Sequence, residues 1–260
     1  MELTKEKVRY HGLDEARGFA VLCMVFYHAF YTIGYNFGMS WGITLFDFFT
    51  PAEPFFAMFF IGLSGVMCQF TRSNFKRGIK LALISAALTI VTLLASKIGV
   101  EGAEIYFGVL HLLSVGMLLV ALVNPLLKKL NPAIAAAFFL LLFLVFYGVE
   151  YRVFGIMGVE GLWVNLPFAW YQSDALFFLG FHSPYFYSAD YFPLLPWIFI
   201  FLCGAALGLY NERNKFPKFL IKRRIAPLGF LGRHALWVYI LHQPVIFGIV
   251  AAVDWLIALF

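Results

Sequence analysis

The sequence predicts an all-α fold, a polytopic membrane helix bundle with about seven transmembrane helices and a cytoplasmic N-terminus. Three observations predict it. Of the 260 residues, 62% are hydrophobic and 13% are charged, whereas a soluble domain carries about 25% charged residues. The apolar residues are gathered in long runs. The basic residues fall almost entirely in alternate segments between those runs, and together these features exclude a soluble globular protein.

Each apolar run approaches the ~20 residues that a helix needs to cross a bilayer. The runs lie near residues 14–36, 50–70, 79–97, 106–126, 132–149, 191–210 and 229–256. Because they fill most of the chain, one domain over residues 1–260 is predicted. Within the sixth run, Gly204 and Gly208 form a G-x-x-x-G pair, which predicts close packing against another helix.

Basic residues mark one side of the membrane. Of the 19 lysines and arginines, all but Lys97 and Arg152 lie at the chain start or between runs two and three, four and five, or six and seven. This positive-inside pattern predicts a cytoplasmic N-terminus, and an odd number of spans then places Phe260 outside. Topology and lipid headgroups account for these charges, so nucleic-acid binding is not predicted. The charged start, Met1 to Arg9, precedes a run that is too long for a cleavable signal peptide.

The segment near residues 150–190 is predicted to fold as a cap on the outer membrane surface. It is long for a loop, and loops beyond about 15 residues are usually functional or disordered. Its aromatic content argues against disorder: Trp163, Trp170, Tyr171, Phe177, Phe178, Phe181, Tyr185, Phe186 and Tyr187. One short helix within the cap is consistent with this pattern.

Ionisable residues inside a membrane span are functional candidates, because burying them in lipid is unfavourable. The first run contains Asp14, Arg17 and His28. His28 is eleven positions after Arg17, which places them on one helix face about 16 Å apart along the axis. Asp14 lies one turn before Arg17 and is predicted to pair with it. This pattern suits an anionic cytosolic ligand whose reactive end reaches into the membrane, although Arg17 as a topology anchor and His28 as an interhelical hydrogen-bond partner remain open.

Two further histidines lie in apolar runs. His111 is about one turn into the fourth run, where a structural hydrogen bond is the favoured role. His242 precedes Gln243 and Pro244 in the last run, and is expected to reach the depth of His28, with structural support and substrate positioning both open. These histidines lack the i,i+3 or i,i+4 spacing of metal ligands on a helix, and no carboxylate is expected at that depth. No metal site is therefore predicted.

Asp190 and Trp197 open the sixth run. They are seven residues apart, and in a helix this spacing places them on one face. A capped helix start with an aromatic belt is one interpretation. Part of an outer acceptor site is the other.

Four motifs, in order over nearly the whole chain, resemble the transmembrane acyltransferase superfamily and, within it, the heparan-α-glucosaminide N-acetyltransferase-like family with its small bacterial members. The superfamily signature of Arg, ten residues, then His matches Arg17 and His28. The motifs are Leu13–Ala20 with Met24–His28, Pro54–Gly65, Asp190–Trp197 with Gly204 and Gly208, and Leu231–Leu236 with Tyr239 and His242–Pro244.

The resemblance implies transfer of an acetyl or acyl group from cytosolic acyl-coenzyme A to a sugar-like or glycan-like acceptor. Carried over by position, His28 is the catalytic residue and Arg17 binds the donor, with Asp14 orienting it. Arg233 and, more weakly, Arg77 are further donor-binding candidates. The resemblance also implies a multi-pass protein of the bacterial cytoplasmic (inner) membrane that contacts lipid, and leaves a homodimer open.

Two other functions compete with the enzyme. A transporter or flippase of an anionic or lipid-linked solute would use intramembrane histidines as proton relays. Such proteins often contain inverted repeats with paired broken helices, and no such symmetry is evident in the sequence. A non-catalytic membrane partner of another enzyme is the third reading.

Overall fold

The computed structural model of the chain describes residues 9–100, 102–214 and 216–257. Within them, seven helical segments are long and apolar enough to cross a membrane, which confirms the predicted all-α class. These segments are His11–Asn36, Ser40–Phe70, Asn74–Lys97, Val109–Leu127, Pro132–Tyr151, Leu194–Asn214 and Ala235–Leu256. The side of the membrane on which the chain begins stays a prediction. Four residues used for that prediction lie outside the described residues: Lys5, Lys7, Lys215 and Phe260.

The α-helices divide these spans into shorter elements. They are α1 (His11–Tyr31), α2 (Ser40–Phe49), α3 (Glu53–Met67), α4 (Asn74–Lys97), α5 (Val109–Leu127), α6 (Pro132–Phe146), α7 (Leu194–Asn214), α8 (Ala226–Arg233) and α9 (Ala235–Ile257). Two strands, β1 (Val153–Gly155) and β2 (Trp163–Asn165), pair as an antiparallel hairpin.

The chain forms two compact units. The first comprises the described residues of Met1–Phe60 and Phe216–Phe260, and the second those of Ile61–Lys215. The division falls inside α3. The single domain over residues 1–260 stays a prediction.

In the first unit, α1 and α8 cross at their backbones. A Cβ atom on Gly18 would lie 1.9 Å from the carbonyl oxygen of Leu228, and one on Gly232 would lie 1.8 Å from that of Asp14. Only glycine permits such an approach without moving the helices. The carboxylate of Glu15 also accepts hydrogen bonds from the backbone N–H groups of Arg224 and Ile225, at 2.7 and 2.9 Å. Glu15 therefore fixes the chain where it enters α8.

In the second unit, α7 packs closely on the end of α3. A Cβ atom on Gly204 would lie 1.9 Å from the carbonyl oxygen of Gly62, and one on Gly208 would lie 2.8 Å from that of Val66. The close packing predicted from the G-x-x-x-G pair is therefore confirmed.

Three predicted boundaries are wrong. The second span begins at Ser40 rather than near residue 50, because a 3-10 turn at Thr50–Ala52 joins α2 to α3. The last span begins at Ala235, because α8 is a separate helix that ends at Arg233. The sixth span begins at Leu194, and Asp190 precedes it with a left-handed φ of 51°.

The cap segment contains the β hairpin and 3-10 turns at Phe168–Tyr171 and Phe177–Leu179. Arg152 lies over the ring of Phe168, with 4.9 Å between the guanidinium carbon and the ring centroid. The short helical structure expected in the cap is present as these 3-10 helices, and the hairpin was not expected. The location of the cap on the outer surface stays a prediction.

Candidate active site

The crossing of α1 and α8 carries three of the predicted donor-binding residues, Asp14, Arg17 and Arg233, whereas Arg77 lies on α4 in the second unit. Arg17, half-buried on α1, donates from Nη1 to the carbonyl oxygen of Gly232 at 3.4 Å. Gly232 directly precedes Arg233, the exposed last residue of α8. The same glycine packs against the backbone of Asp14. The helix crossing therefore forms a polar cluster at the start of the first span, with Asp14 and Arg17 on α1 and Arg233 at the adjoining end of α8. Nη1 of Arg233 lies beside Gly229, 3.5 Å from where a Cβ on that glycine would be.

The ion pair of Asp14 differs from the predicted one. Its Oδ2 accepts from Nη2 of Arg9 at 2.8 Å and from Nε at 3.2 Å. The Asp14 side chain is 9% exposed and that of Arg9 is 56% exposed. The observed ion pair is therefore between Asp14 and Arg9, and the predicted pair with Arg17 is corrected. Arg9 lies before α1, so helical spacing could not predict that it pairs with Asp14.

The second cluster lies near the other end of α1, against α9. The rings of His28 and His242 have centroids 5.0 Å apart and are inclined by 56°. The sequence placed these residues at one depth, and the ring contact confirms it. Because α1 is unbroken from His11 to Tyr31, Arg17 and His28 lie on one helix about 16 Å apart along its axis.

Hydrogen bonding sets the proton position on His242. Its Nδ1 lies 2.6 Å from the carbonyl oxygen of Tyr239, which can only accept, so Nδ1 carries the proton in the neutral ring. The other nitrogen, Nε2, then presents a lone pair. That nitrogen is buried and has no hydrogen-bond partner among the described residues. The ring of His28 is in contact with this imidazole. The pair therefore contains a nitrogen lone pair to which no described residue donates a hydrogen bond.

Gln243 holds the last helix to the end of α1. Its Oε1 accepts from the hydroxyl of Thr32 at 3.4 Å. Thr32 is 1% exposed and begins a π-helical turn, Thr32–Asn36, that extends α1. Such turns recur at functional sites. The bond ties Gln243 to the turn that follows the His28 face.

The remaining predicted candidates belong to the second unit. His111 accepts the backbone N–H of Gly108 at Nδ1, 3.2 Å away, so its Nε2 carries the proton and donates to Thr89 Oγ1 at 3.2 Å. Both nitrogens are engaged, which confirms the predicted structural hydrogen bonding.

Asp190 and Trp197 do not share a helix face, because α7 begins only at Leu194. Asp190 instead caps α5, since its Oδ2 accepts the backbone N–H of Val109 at 2.9 Å. Trp197 is 9% exposed and its ring packs against Phe143 and Phe192. The predicted shared face is wrong, and the role of these residues in binding an acceptor stays a prediction.

One polar residue of the cap was not singled out from the sequence. Nε2 of His182 is buried without a hydrogen-bond partner among the described residues and lies 4.0 Å from Oε1 of Glu150. The ring contacts Phe186 and Tyr191. Burial and two acidic groups, Glu150 and Asp174, raise the pKa of Tyr191. A single histidine inside an aromatic run was the sequence signal for this cluster.

Within the described ranges, no group of three or more His, Cys, Asp or Glu side chains is arranged to hold a metal ion. The candidate functional groups of the first unit are thus a polar cluster at the start of α1 and an imidazole pair near its end. Cationic guanidinium groups bind phosphate, and imidazoles accept and return protons near neutral pH. This arrangement suits proton transfer to or from a bound anionic ligand.

A family model described as heparan-alpha-glucosaminide N-acetyltransferase, catalytic, matches residues 9–244. The matched range includes both clusters. Comparisons with curated proteins and with solved structures give no match.

Proposed function

This chain belongs to the heparan-alpha-glucosaminide N-acetyltransferase family, and from that membership we propose that it moves an acetyl group from cytosolic acetyl-coenzyme A to a sugar-like acceptor. The family is one of transmembrane acetyltransferases, and the seven apolar helices make the chain a multi-pass membrane protein. Beyond family membership, we propose four details: the donor, the acceptor class, the bacterial inner membrane and the cytoplasmic N-terminus.

The observation that carries the proposal is the contact between His28 and His242. Transfer to a hydroxyl or amine needs a group that removes its proton as the new bond forms. Nε2 of His242 is a buried acceptor without a partner, and the ring of His28 lies against it.

In the proposed reaction, His28 takes the proton from the acceptor while the acceptor oxygen or nitrogen attacks the thioester carbonyl. The tetrahedral intermediate collapses with cleavage of the carbon–sulfur bond. The coenzyme A thiolate leaves and receives the proton from His28. Acetylated acceptor and free coenzyme A are the products, and no other reactant is consumed. His242 acts as a positioning residue: its ring contacts His28, and its unpaired Nε2 lone pair orients the imidazole of His28.

The donor is proposed to enter at the α1–α8 crossing. Arg17 provides a planar guanidinium that suits a phosphate oxygen pair, and Arg233 adds a second cation at the end of α8. The separation of about 16 Å along α1 suits a donor with its anionic end at Arg17 and its thioester at His28.

The first test is thermal unfolding of the purified protein with acetyl-coenzyme A, in wild type, Arg17→Ala and Lys222→Ala. A ligand at about 100 times its dissociation constant stabilises a protein by roughly 2.7 kcal/mol. We expect stabilisation in wild type and in Lys222→Ala, an exposed cation of the same unit. Arg17→Ala should lose it.

A folded wild-type protein without any stabilisation would contradict the donor site and favour the transporter or the partner subunit. A proton-driven flux assay without acyl-coenzyme A then tests the transporter. Labelled acetyl transfer to a panel of amino sugars and sugar alcohols tests the acceptor class.

A further inference from the structure

A polar cavity of about 380 Å³ lies in the second unit, between the α3–α4 link and the C-terminal part of α5. The three spans that surround it end at Phe70, begin at Asn74 and end at Leu127. The cavity is therefore at the depth where helices leave the hydrocarbon core. Lipid phosphates occupy the same depth on either side of a bilayer.

The charged residues that line the cavity, Arg72 and Lys128, are both cations and both exposed. Two further arginines hold its rim in place. Nη1 of Arg77 donates to the hydroxyl of Thr71 at 2.5 Å, and Nη2 of Arg213 donates to the carbonyl oxygen of Lys128 at 2.5 Å. The cavity therefore attracts an anion.

Amide side chains form an ordered polar wall. Nε2 of Gln69 donates to Oδ1 of Asn124 at 3.4 Å and to a backbone carbonyl of α7 at 3.2 Å. Asn74, 9% exposed, donates from Nδ2 to the carbonyl oxygen of Cys68 at 3.1 Å. Its Oδ1 has no partner among the described residues. A buried acceptor left unpaired is unfavourable, and a ligand N–H or O–H that donates to it would remove that penalty.

The N-terminus of α4 also favours an anion in the cavity. α4 begins at Asn74, and Ser73 caps it by accepting the backbone N–H of Lys76 at 3.3 Å. The first N–H groups of a helix favour a phosphate near them. The cavity thus combines a helix N-terminus, two cations and one unfilled acceptor.

We propose that this cavity binds a phosphate ester that carries a neighbouring hydroxyl or amine. The phosphate lies between Arg72, Lys128 and the start of α4, and the hydroxyl or amine donates to Oδ1 of Asn74. Basic pockets between transmembrane helices on the cytoplasmic side bind anionic lipid headgroups. The headgroup of an anionic phospholipid and a soluble phosphate monoester share this chemistry. The site is independent of the proposed transfer reaction.

The test compares two double variants that remove the same charge. Arg72→Ala with Lys128→Ala removes the cations that line the cavity, whereas Lys76→Ala with Lys129→Ala removes exposed neighbours that do not line it. Each protein, purified in a neutral detergent, is titrated with phosphatidylglycerol, with phosphatidylcholine and with glycerol 3-phosphate. Thermal unfolding reports binding, and the unliganded melting temperature reports folding.

We expect phosphatidylglycerol or glycerol 3-phosphate to stabilise the wild type. The lining variant should weaken the apparent affinity about tenfold, a change of about 1.4 kcal/mol, and the neighbour variant should change it less than twofold. Stabilisation by phosphatidylglycerol alone identifies a lipid site, and stabilisation by glycerol 3-phosphate identifies a soluble ligand. Equal weakening in both double variants, or no stabilisation by either phosphate, would overturn the proposal.

Discussion

The imidazole rings of His28 and His242 lie 5.0 Å apart, centroid to centroid, although 213 residues separate them in sequence. One ring comes from α1 and the other from α9. The hydrogen bond of His242 Nδ1 to Tyr239 leaves Nε2 as a lone-pair acceptor. The fold therefore places a base of defined tautomer beside the residue proposed to carry the chemistry.

Replacing His28 with alanine should abolish acetyl transfer without removing the donor site. Loss of a general base lowers a rate by about 10²–10⁴-fold. Stabilisation by acetyl-coenzyme A should persist, because Arg17 lies about 16 Å away along α1. His234→Ala, an exposed histidine at the end of α8, is the matched control and should retain activity. Wild-type activity in His28→Ala would remove His28 from the mechanism.

His242→Asn should lower kcat about 10- to 100-fold, because the amide can still donate to Tyr239 while the lone pair of Nε2 is lost. As a positioning residue, His242 should affect kcat and leave the KM for the donor nearly unchanged. The pH dependence of kcat should also change in this variant. A variant with lower kcat but the wild-type pH profile would indicate a packing role only.

Gly232→Ala and Gly229→Ala, both in α8, should change the stability of the protein in opposite directions. At Gly232 a Cβ would meet the backbone of Asp14 at 1.8 Å, whereas at Gly229 the nearest atom lies at 3.5 Å. Forcing atoms into a packed interface destabilises by about 1–3 kcal/mol. Alanine at an unhindered helix position stabilises by up to about 1 kcal/mol relative to glycine.

Thermal unfolding should therefore show a lower midpoint for Gly232→Ala and an equal or higher one for Gly229→Ala. Donor affinity should fall only in Gly232→Ala, because Arg17 donates to the carbonyl of Gly232. Similar midpoints in the two variants would argue against the close crossing of α1 and α8.

Helical periodicity was sufficient for the parts of the site that lie on unbroken helices. It placed Arg17 and His28 on one helix. It also gave His242 the depth of His28, because the depth of each residue follows from its distance along the helix from a basic segment. It failed where the chain leaves the helix. Arg9 reaches Asp14 from before α1, and Asp190 lies in a left-handed turn before α7.

The polar contacts inside the cap and the second-unit cavity could not be predicted from the sequence for a related reason. His182 meets Glu150 only because the cap folds back on the end of α6. The wall of the cavity depends on an amide contact between Gln69 and Asn124, which are 55 residues apart. A pattern of apolar runs indicates which segments are helices, but it does not specify which polar residues face each other between them.

Asp190 should be replaceable by asparagine but not by alanine. Asparagine keeps an oxygen that accepts the backbone N–H of Val109, and it tolerates the left-handed φ of 51°. Alanine loses the cap, which is worth about 0.5–2 kcal/mol, and is strained in that conformation. Chemical unfolding should show a loss of stability in Asp190→Ala that is largely absent in Asp190→Asn. Equal losses would mean that charge rather than capping is responsible.

Tyr171 should make stability depend on alkaline pH. Its hydroxyl donates to the carbonyl oxygen of Val149, and the residue is 2% exposed. Burial raises the pKa of Tyr171 to about 12, opposed by the positive charge of Arg152. The phenol of an unfolded chain titrates near 10. The contribution of Tyr171 is therefore fully present below about pH 10 and is lost as the pH rises toward 12.

Tyr171→Phe isolates this effect from other groups that titrate in the same range. The variant loses one hydrogen bond, about 0.5–1.5 kcal/mol, and should be less stable than wild type at pH 8. Between pH 10 and 12 the free energy of unfolding of wild type should fall more steeply than that of the variant, so the two curves converge. Parallel curves over that range would show that Tyr171 ionises in the folded protein as readily as in the unfolded chain.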